Sequence, residues 1–317
     1  MEIKRLIIVP LLFLSLSPVF GQGKPDYSET GSYSGGKIIL SDNIMRSRFL
    51  GRLEGRAEKG YAYQGMDIYG KWLVSLQNQG YATIYDFNGK KFKKVSAFDL
   101  KSKNSLNHAN VASFGVEKVD SDDPMPVLYV SQCNKKTLNG MKDVAYVERI
   151  LPDLGGSELV QTINFKDEGH LFGYALQWVV DREGRFLYGY GNTINNSDPA
   201  NRHRIIKFRL PKLSAGSYVE LTSKDILETY LIEDYDNRGL NPVGQGLLVK
   251  NGQLIMPVGL GKREEPSYVL VWDLVGRRMR NVLDVSETTK TELEDAAEYD
   301  GALILQSQGG LWRLDFD

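Results

Sequence analysis

Five successive parts of the chain repeat one order of short apolar runs. The first reads YQGMDIYGKWLVSLQNQGYATIYDF, and a more polar run, Phe92–Leu100, follows it. Its apolar runs, Gly65–Tyr69, Lys71–Leu76 and Tyr81–Phe87, are separated by Gly, Asn and Lys, and no 3.6-residue period competes with them. The pattern predicts a meander of four antiparallel strands.

The same order recurs to the end of the chain. The second set contains PVLYVSQC and VAYVERIL, the third YALQWVVD and FLYGYGN, and the fourth LIMPVG and YVLVWDL. The fifth set, ELEDAAEYDG, ALILQSQ and LWRLDF, has only three strands, whereas the strand-like Ile44 to Gly55 precedes the first set without a repeat of its own. Repeated four-stranded meanders are typical of β-propellers, in which an N-terminal strand commonly completes the last blade and removes an exposed sheet edge.

The sequence therefore predicts an all-β fold, a five-bladed β-propeller of four-stranded antiparallel blades whose ring is closed by an N-terminal strand. A β-sandwich with irregular extra strands is the alternative. Two polar insertions, Gly191–His203 and Glu233–Pro242, lengthen the middle repeats. Long insertions of this kind lie on one face of a repeat structure and often carry binding.

The N-terminus has the layout of a secretory signal peptide. Lys4 and Arg5 precede an apolar run, and small residues precede a cleavage point before Gln22. A membrane anchor is the weaker alternative because the run is short and is interrupted by Pro10 and Pro18. We expect a signal peptide over residues 1–21, an N-terminal segment over 22–43 and one propeller domain over 44–317.

Composition narrows the class of protein further. Hydrophobic residues make up 42% of the chain and charged residues 25%, which are ordinary globular values. Lys and Arg total 39 against 40 for Asp and Glu, so a role in neutralising nucleic-acid phosphates is not expected. Cys133 is the only cysteine, which excludes a disulfide framework and a lipid-bearing cysteine after the signal. No later segment is apolar enough to span a bilayer, so we expect an exported monomer in the periplasm, at the cell surface or outside the cell.

The starts of the first strands are where the repeats should meet. In a propeller the first strand of each blade lines the central channel, so polar residues at these positions converge near the axis. The Gln-Gly pairs at Gln64 and Gln245 read as one position used twice. The residues at these positions are Gln64, Asp67, His108, Asn110, Gln177, Trp178, Gln245, Glu294 and Asp295.

Three interpretations of this ring remain open. It is a structural ring of mutually satisfied polar groups, a small-molecule or glycan site in which Trp178, Tyr174 and Tyr63 supply apolar faces, or a catalytic or metal centre. In the last case Asn110 and Glu294, with His108 and Asp295, would hold a divalent cation such as calcium in the central channel. The first expectation is a binding site for a carbohydrate or another polar small molecule. A hydrolase with Glu294 or Asp295 as acid or base and His108 as partner is one alternative, and a protein-interaction platform on the outer loops is another.

By architecture, Ile44 to Asp317 resembles five-bladed propellers of the arabinanase type and tachylectin-like sugar binders. The first resemblance implies an Asp base, a second Asp and a Glu acid on first strands of successive blades. Asp67 and the pair Glu294 and Asp295 match those residue types, whereas the other sets carry His or Gln. The chain also resembles calcium-dependent lactonase propellers at Glu294 and Asn110, which implies part of a calcium cage.

Smaller motifs complete the predictions. DEGHLFGY places His170, with Asp167 and Glu168, before the third set, either as a solvated loop or as an addition to the face of His108. His203 lies between two arginines and is predicted to be exposed. Cys133 follows an apolar strand and is predicted to be a half-buried, inert thiol.

Overall fold

The computed structural model describes residues 44–174, 176–195, 198–232 and 243–316. The predicted signal peptide and N-terminal segment, and the insertion at 233–242, lie outside the described residues. No helix within the described part of the chain is long and apolar enough to cross a membrane.

Within these residues five sheets follow one another along the chain, which confirms the predicted propeller of five blades. Blade one consists of β2 (Tyr63–Tyr69), β3 (Trp72–Gln77), β4 (Tyr81–Phe87) and β5 (Phe92–Asp99). Blade two consists of β6 (Ala112–Phe114), β7 (Leu128–Ser131), β8 (Asp143–Ile150) and β9 (Ser157–Phe165). Blade three consists of β10 (Gln177–Asp181), β11 (Phe186–Asn192), β12 (His203–Arg209) and β14 (Glu228–Ile232).

Blade four consists of β15 (Leu248–Lys250), β16 (Gln253–Val258), β17 (Tyr268–Asp273) and β18 (Arg278–Asp284). Blade five consists of β19 (Asp295–Tyr299), β20 (Ala302–Ser307), β21 (Gly310–Phe316) and β1 (Ile44–Arg52). In it β1 pairs antiparallel with β21, and Phe49 lies opposite Trp312. The helical segments are short: α1 (Ser286–Thr289) and two 3₁₀ turns, Leu213–Ala215 and Ser223–Asp225.

Blade two has a fifth strand that the repeat pattern did not predict. After β12 the chain crosses to blade two, where β13 (Tyr218–Leu221) runs parallel to β9. The buried Gln161 side chain fixes this crossing, because its amide donates to the carbonyls of Lys212 at 3.0 Å and Gly216 at 2.8 Å. The chain then returns to blade three as β14.

The core is divided into five apolar clusters, each between two consecutive blades. Leu76 and Val130 belong to the cluster between blades one and two, and Val147 and Phe208 to the next one. The last cluster joins Ile304 of blade five to blade one, so packing runs around the whole ring. Burying one such side chain contributes about 1.5–3 kcal/mol, and the clusters hold the inner strands in contact around the axis.

Candidate functional site

The carboxylate of Asp295 lies at the centre of the ring. Its two oxygens accept backbone N–H groups from four blades: Met66 at 2.7 Å, Ala112 at 3.3 Å, Leu247 at 3.1 Å and its own neighbour Ala296 at 2.9 Å. Burial raises the pKa of Asp295 well above its ordinary value, and the N–H donors oppose that rise. With both oxygens occupied, Asp295 acts as a structural tie rather than as a free acid or base.

Asp67, on the first strand of blade one, has a similar role: its carboxylate also connects two blades. Its oxygens accept the N–H groups of Ile68 and Phe114, both at 2.7 Å, so it joins blade one to blade two. Burial raises its pKa as well. Ser113 continues the pattern by accepting the N–H of Val180 of blade three at 3.0 Å. This layer of the predicted ring is therefore structural.

The two Gln-Gly pairs do share one structural role. A Cβ on Gly65 would lie 2.6 Å from the nitrogen of Ala112, and a Cβ on Gly246 would overlap Asp295. Inner strands of neighbouring blades approach too closely there for any side chain. Each glutamine beside the glycine reaches a glutamate: the amide of Gln64 donates to Glu294 at 3.4 Å, and that of Gln245 donates to Glu292 at 2.6 Å.

Glu294 is a buried acid beside two other acids. Burial first, and then the charges of Glu292 and Asp295, raise its pKa to about 9. At neutral pH Glu294 is therefore protonated, and a protonated carboxyl can donate a hydrogen bond as well as accept one.

Two side-chain amides near the axis have a carbonyl oxygen that receives no hydrogen bond from any described residue. The side chain of Asn110 donates to the carbonyl of Gln245 at 3.1 Å, and that of Gln177 donates to the carbonyl of Gly244 at 2.8 Å. Both side chains are buried, and among the described residues neither Asn110 Oδ1 nor Gln177 Oε1 has a hydrogen-bond partner. A buried carbonyl without a donor costs about 1–3 kcal/mol, so a water or ligand is expected to meet these oxygens.

A cavity of about 340 Å³ opens beside His108, between the connections of blades one, two and three. His108, Tyr174 and Cys133 line it, and the contact of Cys133 with Gln177 links the cavity to the buried amides. The polar residues that complete the wall are Asn78, Gln79, Ser105, Asn107 and Asn134.

The lining of this cavity, which we name the His108 cavity, carries no formal charge. Its ten lining residues include no Asp, Glu, Lys or Arg. Burial lowers the pKa of His108, so its imidazole is neutral at pH 7. Burial raises the pKa of the Cys133 thiol to about 12, so it stays protonated as the sequence predicts, although it is more fully buried than expected. The site is therefore polar but uncharged.

The structure distributes the predicted site residues over several places. It brings Gln64, Glu294, Gln245, Asn110 and Gln177 to the axis and places His108 in the adjoining cavity. Trp178 lies instead in the core between blades two and three, completely buried, with its ring 5.9 Å from that of Phe208. Its faces are covered by apolar side chains and do not form a platform for a sugar.

Two histidines also differ from expectation. His170 is exposed in a loop and lines a separate, smaller cavity, not the His108 cavity. The prediction that His203 is exposed was wrong: it is buried, and its ring stacks on Tyr190 at 5.2 Å. The two flanking arginines misled the prediction, because alternate residues of a strand point to opposite faces of the sheet.

The sequence did not reveal the amide groups of the cavity wall. Asn78 and Gln79 were read only as the turn between two strands, and Asn107 and Asn134 lie in connections outside the repeat. Gln79 and Cys133 have a left-handed backbone, with φ of 70° and 42°, but ten other non-glycine residues among those described share this conformation, so it does not by itself mark the site.

No cluster of three or more His, Cys, Asp or Glu arranged to hold a metal is found among residues 44–174, 176–195, 198–232 and 243–316. Asp67 and Asp295 accept backbone N–H groups, whereas Glu294 accepts from the side-chain amide of Gln64. The calcium site stays a prediction.

No protein-family model matches the chain, and no curated protein matches it in sequence. Among solved structures it is similar to a glutaminyl cyclase of Myxococcus xanthus, with 14% identity and a TM-score of 0.48 over 87% of this chain and 96% of that one. It is also similar to a tail fibre of a Staphylococcus aureus phage, with 10% identity and a TM-score of 0.49 over 85% of this chain. The match spans about half of the phage protein, 52% of its length. At these identities and scores the likeness carries no argument about activity.

Proposed function

We propose that this protein is a ligand-binding propeller whose His108 cavity recognises a neutral, hydroxyl-rich small molecule, with a carbohydrate as the first class. The observation that carries the proposal is the wall of the cavity, which is rich in amides and contains no charged side chain. Amides both donate and accept, which suits hydroxyl groups, whereas a charged ligand would lose its hydration without gaining an opposite charge.

Size and shape support the same ligand class. A cavity of about 340 Å³ is at the lower end of the range for small-molecule sites, about 300–1,000 Å³. Tyr174 is partly exposed in the wall and offers an aromatic ring to the apolar face of a sugar. Tyr174, and not the buried Trp178, is therefore the aromatic residue that we expect to contact the sugar.

The first test is thermal unfolding against a panel of neutral mono- and oligosaccharides, with and without calcium and EDTA. A ligand at 100 times its Kd stabilises a protein by roughly 2.7 kcal/mol, which raises the Tm of a chain of this size by about 2 °C or more. We expect Tyr174→Ala to abolish the shift and Tyr218→Ala, which removes an exposed tyrosine from β13, to leave it unchanged. A panel without any shift would contradict the proposal and would direct attention to protein partners of the outer loops.

A second candidate function, glycoside hydrolysis, rests on Glu294. A glycosidase acid must be protonated at working pH, and the raised pKa of Glu294 provides this. Glu292, which accepts from Gln245, is the candidate for the second carboxylate, because both oxygens of Asp295 accept backbone N–H groups. If the protein turns over a sugar from the panel, Glu294→Gln should abolish turnover and preserve binding. Turnover that survives this change would exclude Glu294 as the acid.

A further inference from the structure

A second cavity, separate from the His108 cavity, is lined by charges of both signs. It has a volume of about 170 Å³ and lies on blade two, with Lys142, Asp143, Asn164 and His170 in its wall. Because one water occupies about 30 Å³ in the liquid, this space holds about six non-hydrogen atoms. We name it the Lys142 cavity.

Asn164, which lines this cavity, has a side-chain oxygen without a hydrogen-bond donor in the described part of the chain. The residue is 7% exposed, and its Oδ1 has no hydrogen-bond partner among the described residues. Such an oxygen calls for an N–H or O–H donor. An ammonium group meets this requirement best, since hydrogen bonds from charged donors are about twice as strong as neutral ones.

The ammonium group of Lys142 also lies in this wall, and its polar contacts are all long. Its Nζ lies 3.4 Å from Asp143 Oδ2 and 3.5 Å from the carbonyls of Phe172 and Tyr174. Charge-assisted N–H···O bonds are typically 2.7–2.9 Å, so the ammonium has capacity for a better acceptor. A ligand carboxylate is such an acceptor.

Asp143 supplies the opposite charge next to this lysine. It is almost completely buried, one oxygen accepts the N–H of Leu176 at 3.0 Å, and the other faces Lys142. Asp167, also in the wall, accepts the N–H groups of Leu171 and Phe172, both at 2.9 Å, which shapes the loop instead of binding a cation. Lys166 also lines the wall, but its ammonium pairs with Glu168 at 3.2 Å. Lys142, Asp143 and the neutral acceptor of Asn164 are therefore the groups left to meet a ligand.

We propose that the Lys142 cavity binds a small zwitterion, an α-amino acid with a short side chain, with its carboxylate on Lys142 and its ammonium on Asn164 Oδ1 and Asp143. The size of the space matches glycine, alanine or serine. This site is independent of the function proposed for the His108 cavity. The two share the loop that carries Phe172 and Tyr174, whose carbonyls Lys142 contacts.

Calorimetric titration of the full chain with glycine, L-alanine and L-serine tests this proposal. Propionate and propylamine serve as matched probes that each lack one of the two charges. We expect saturable binding of at least one amino acid and at least tenfold weaker binding of both single-charge probes. Equal affinity for a single-charge probe, or no binding of any of the three amino acids, would overturn the proposal.

Variants then separate a binding role from a structural one. Asn164→Ala should weaken amino-acid binding about tenfold while Tm stays unchanged, because its Oδ1 has no internal hydrogen bond to lose. Asn164→Asp, which offers the ammonium a negative partner, should retain binding, and Lys262→Gln in an exposed turn of blade four is the control. Unchanged affinity in Asn164→Ala would refute the assignment, whatever the variant does to stability.

Discussion

At the scale of single residues, Asp295 accounts for the geometry of the axis. Four backbone N–H groups converge on its two oxygens from residues that are up to 229 positions away in sequence. No other side chain of the ring connects so many blades among the described residues. At Asp295 the ring that the sequence predicted therefore has a structural role, and the binding site that we propose lies beside it.

Replacing Asp295 by Asn tests this role. An amide has one acceptor oxygen, so its NH₂ group would face N–H donors that the carboxylate now satisfies. We expect Asp295→Asn to lower the free energy of unfolding by about 3 kcal/mol, measured by denaturant titration. Asp300→Asn, in an exposed turn with φ of 51° that Asn tolerates, is the control. Equal stability of both variants would contradict the assigned role.

The raised pKa of Glu294 predicts how the free energy of unfolding depends on pH. Its folded-state pKa of about 9 lies above the ordinary value of 4.5, so between these pH values the folded state keeps a proton that the unfolded state releases. The folded state then binds more protons, and its stability falls as pH rises through this window, by about 1 kcal/mol per pH unit.

Comparing thermal unfolding of the protein and Glu294→Gln from pH 5 to pH 9 measures this contribution. Glutamine does not titrate, so the variant should lose less stability with rising pH than the parent. Parallel curves across the window would show that Glu294 does not hold its proton in the folded state.

At the scale of strands, the inner strands of neighbouring blades approach closely because glycines such as Gly65 have no side chain. Gly65→Ala places a Cβ 2.6 Å from the backbone of Ala112 and 2.7 Å from that of Ala109. Because these neighbours are backbone atoms, a strand must shift, and we expect a loss of about 1–3 kcal/mol in denaturant unfolding. Gly155→Ala, whose Cβ would meet only ordinary contacts at 3.4 Å, should be neutral.

Strands were predictable from the sequence because each blade repeats a short-range pattern. Runs such as Tyr81–Phe87 are delimited by Gly and Asn, and the structure reproduces them almost residue for residue. The fifth strand of blade two was not predictable, since β13 pairs with β9, about 55 residues earlier, and the amide of Gln161 fixes the crossing that precedes it.

The candidate site was predictable only in part, because the repeat pattern is short-range and contacts between blades are long-range. Positions at the starts of the inner strands follow from the repeat, and Gln64, Asn110, Gln177 and Gln245 are found there. The direction and burial of each side chain depend on neighbouring blades, so Trp178 was placed wrongly and the cavity wall was not identified. Its amides come from connections that carry no repeat signal.

At the scale of the whole molecule, closure of the ring by β1 stays a prediction, and it can be tested by truncation. This strand covers the outer edge of β21, which would otherwise expose unpaired backbone groups. A chain beginning at Leu53 should therefore unfold at a lower temperature and associate in size-exclusion chromatography, whereas a chain beginning at Ile44 should remain dispersed. If both chains have the same Tm and elution volume, β1 does not contribute to closure.

The central claim is that an uncharged, amide-rich cavity beside the axis selects a neutral, hydroxyl-rich ligand. The most direct measurement is calorimetric titration with glucose, galactose and mannose, each paired with its uronic acid, which carries the same ring with a carboxylate. We predict that at least one neutral sugar binds and that its uronic acid binds at least tenfold more weakly, because the cavity has no cation to meet the carboxylate. Equal or tighter binding of the uronic acids, or no heat with any of the six sugars, would contradict the account.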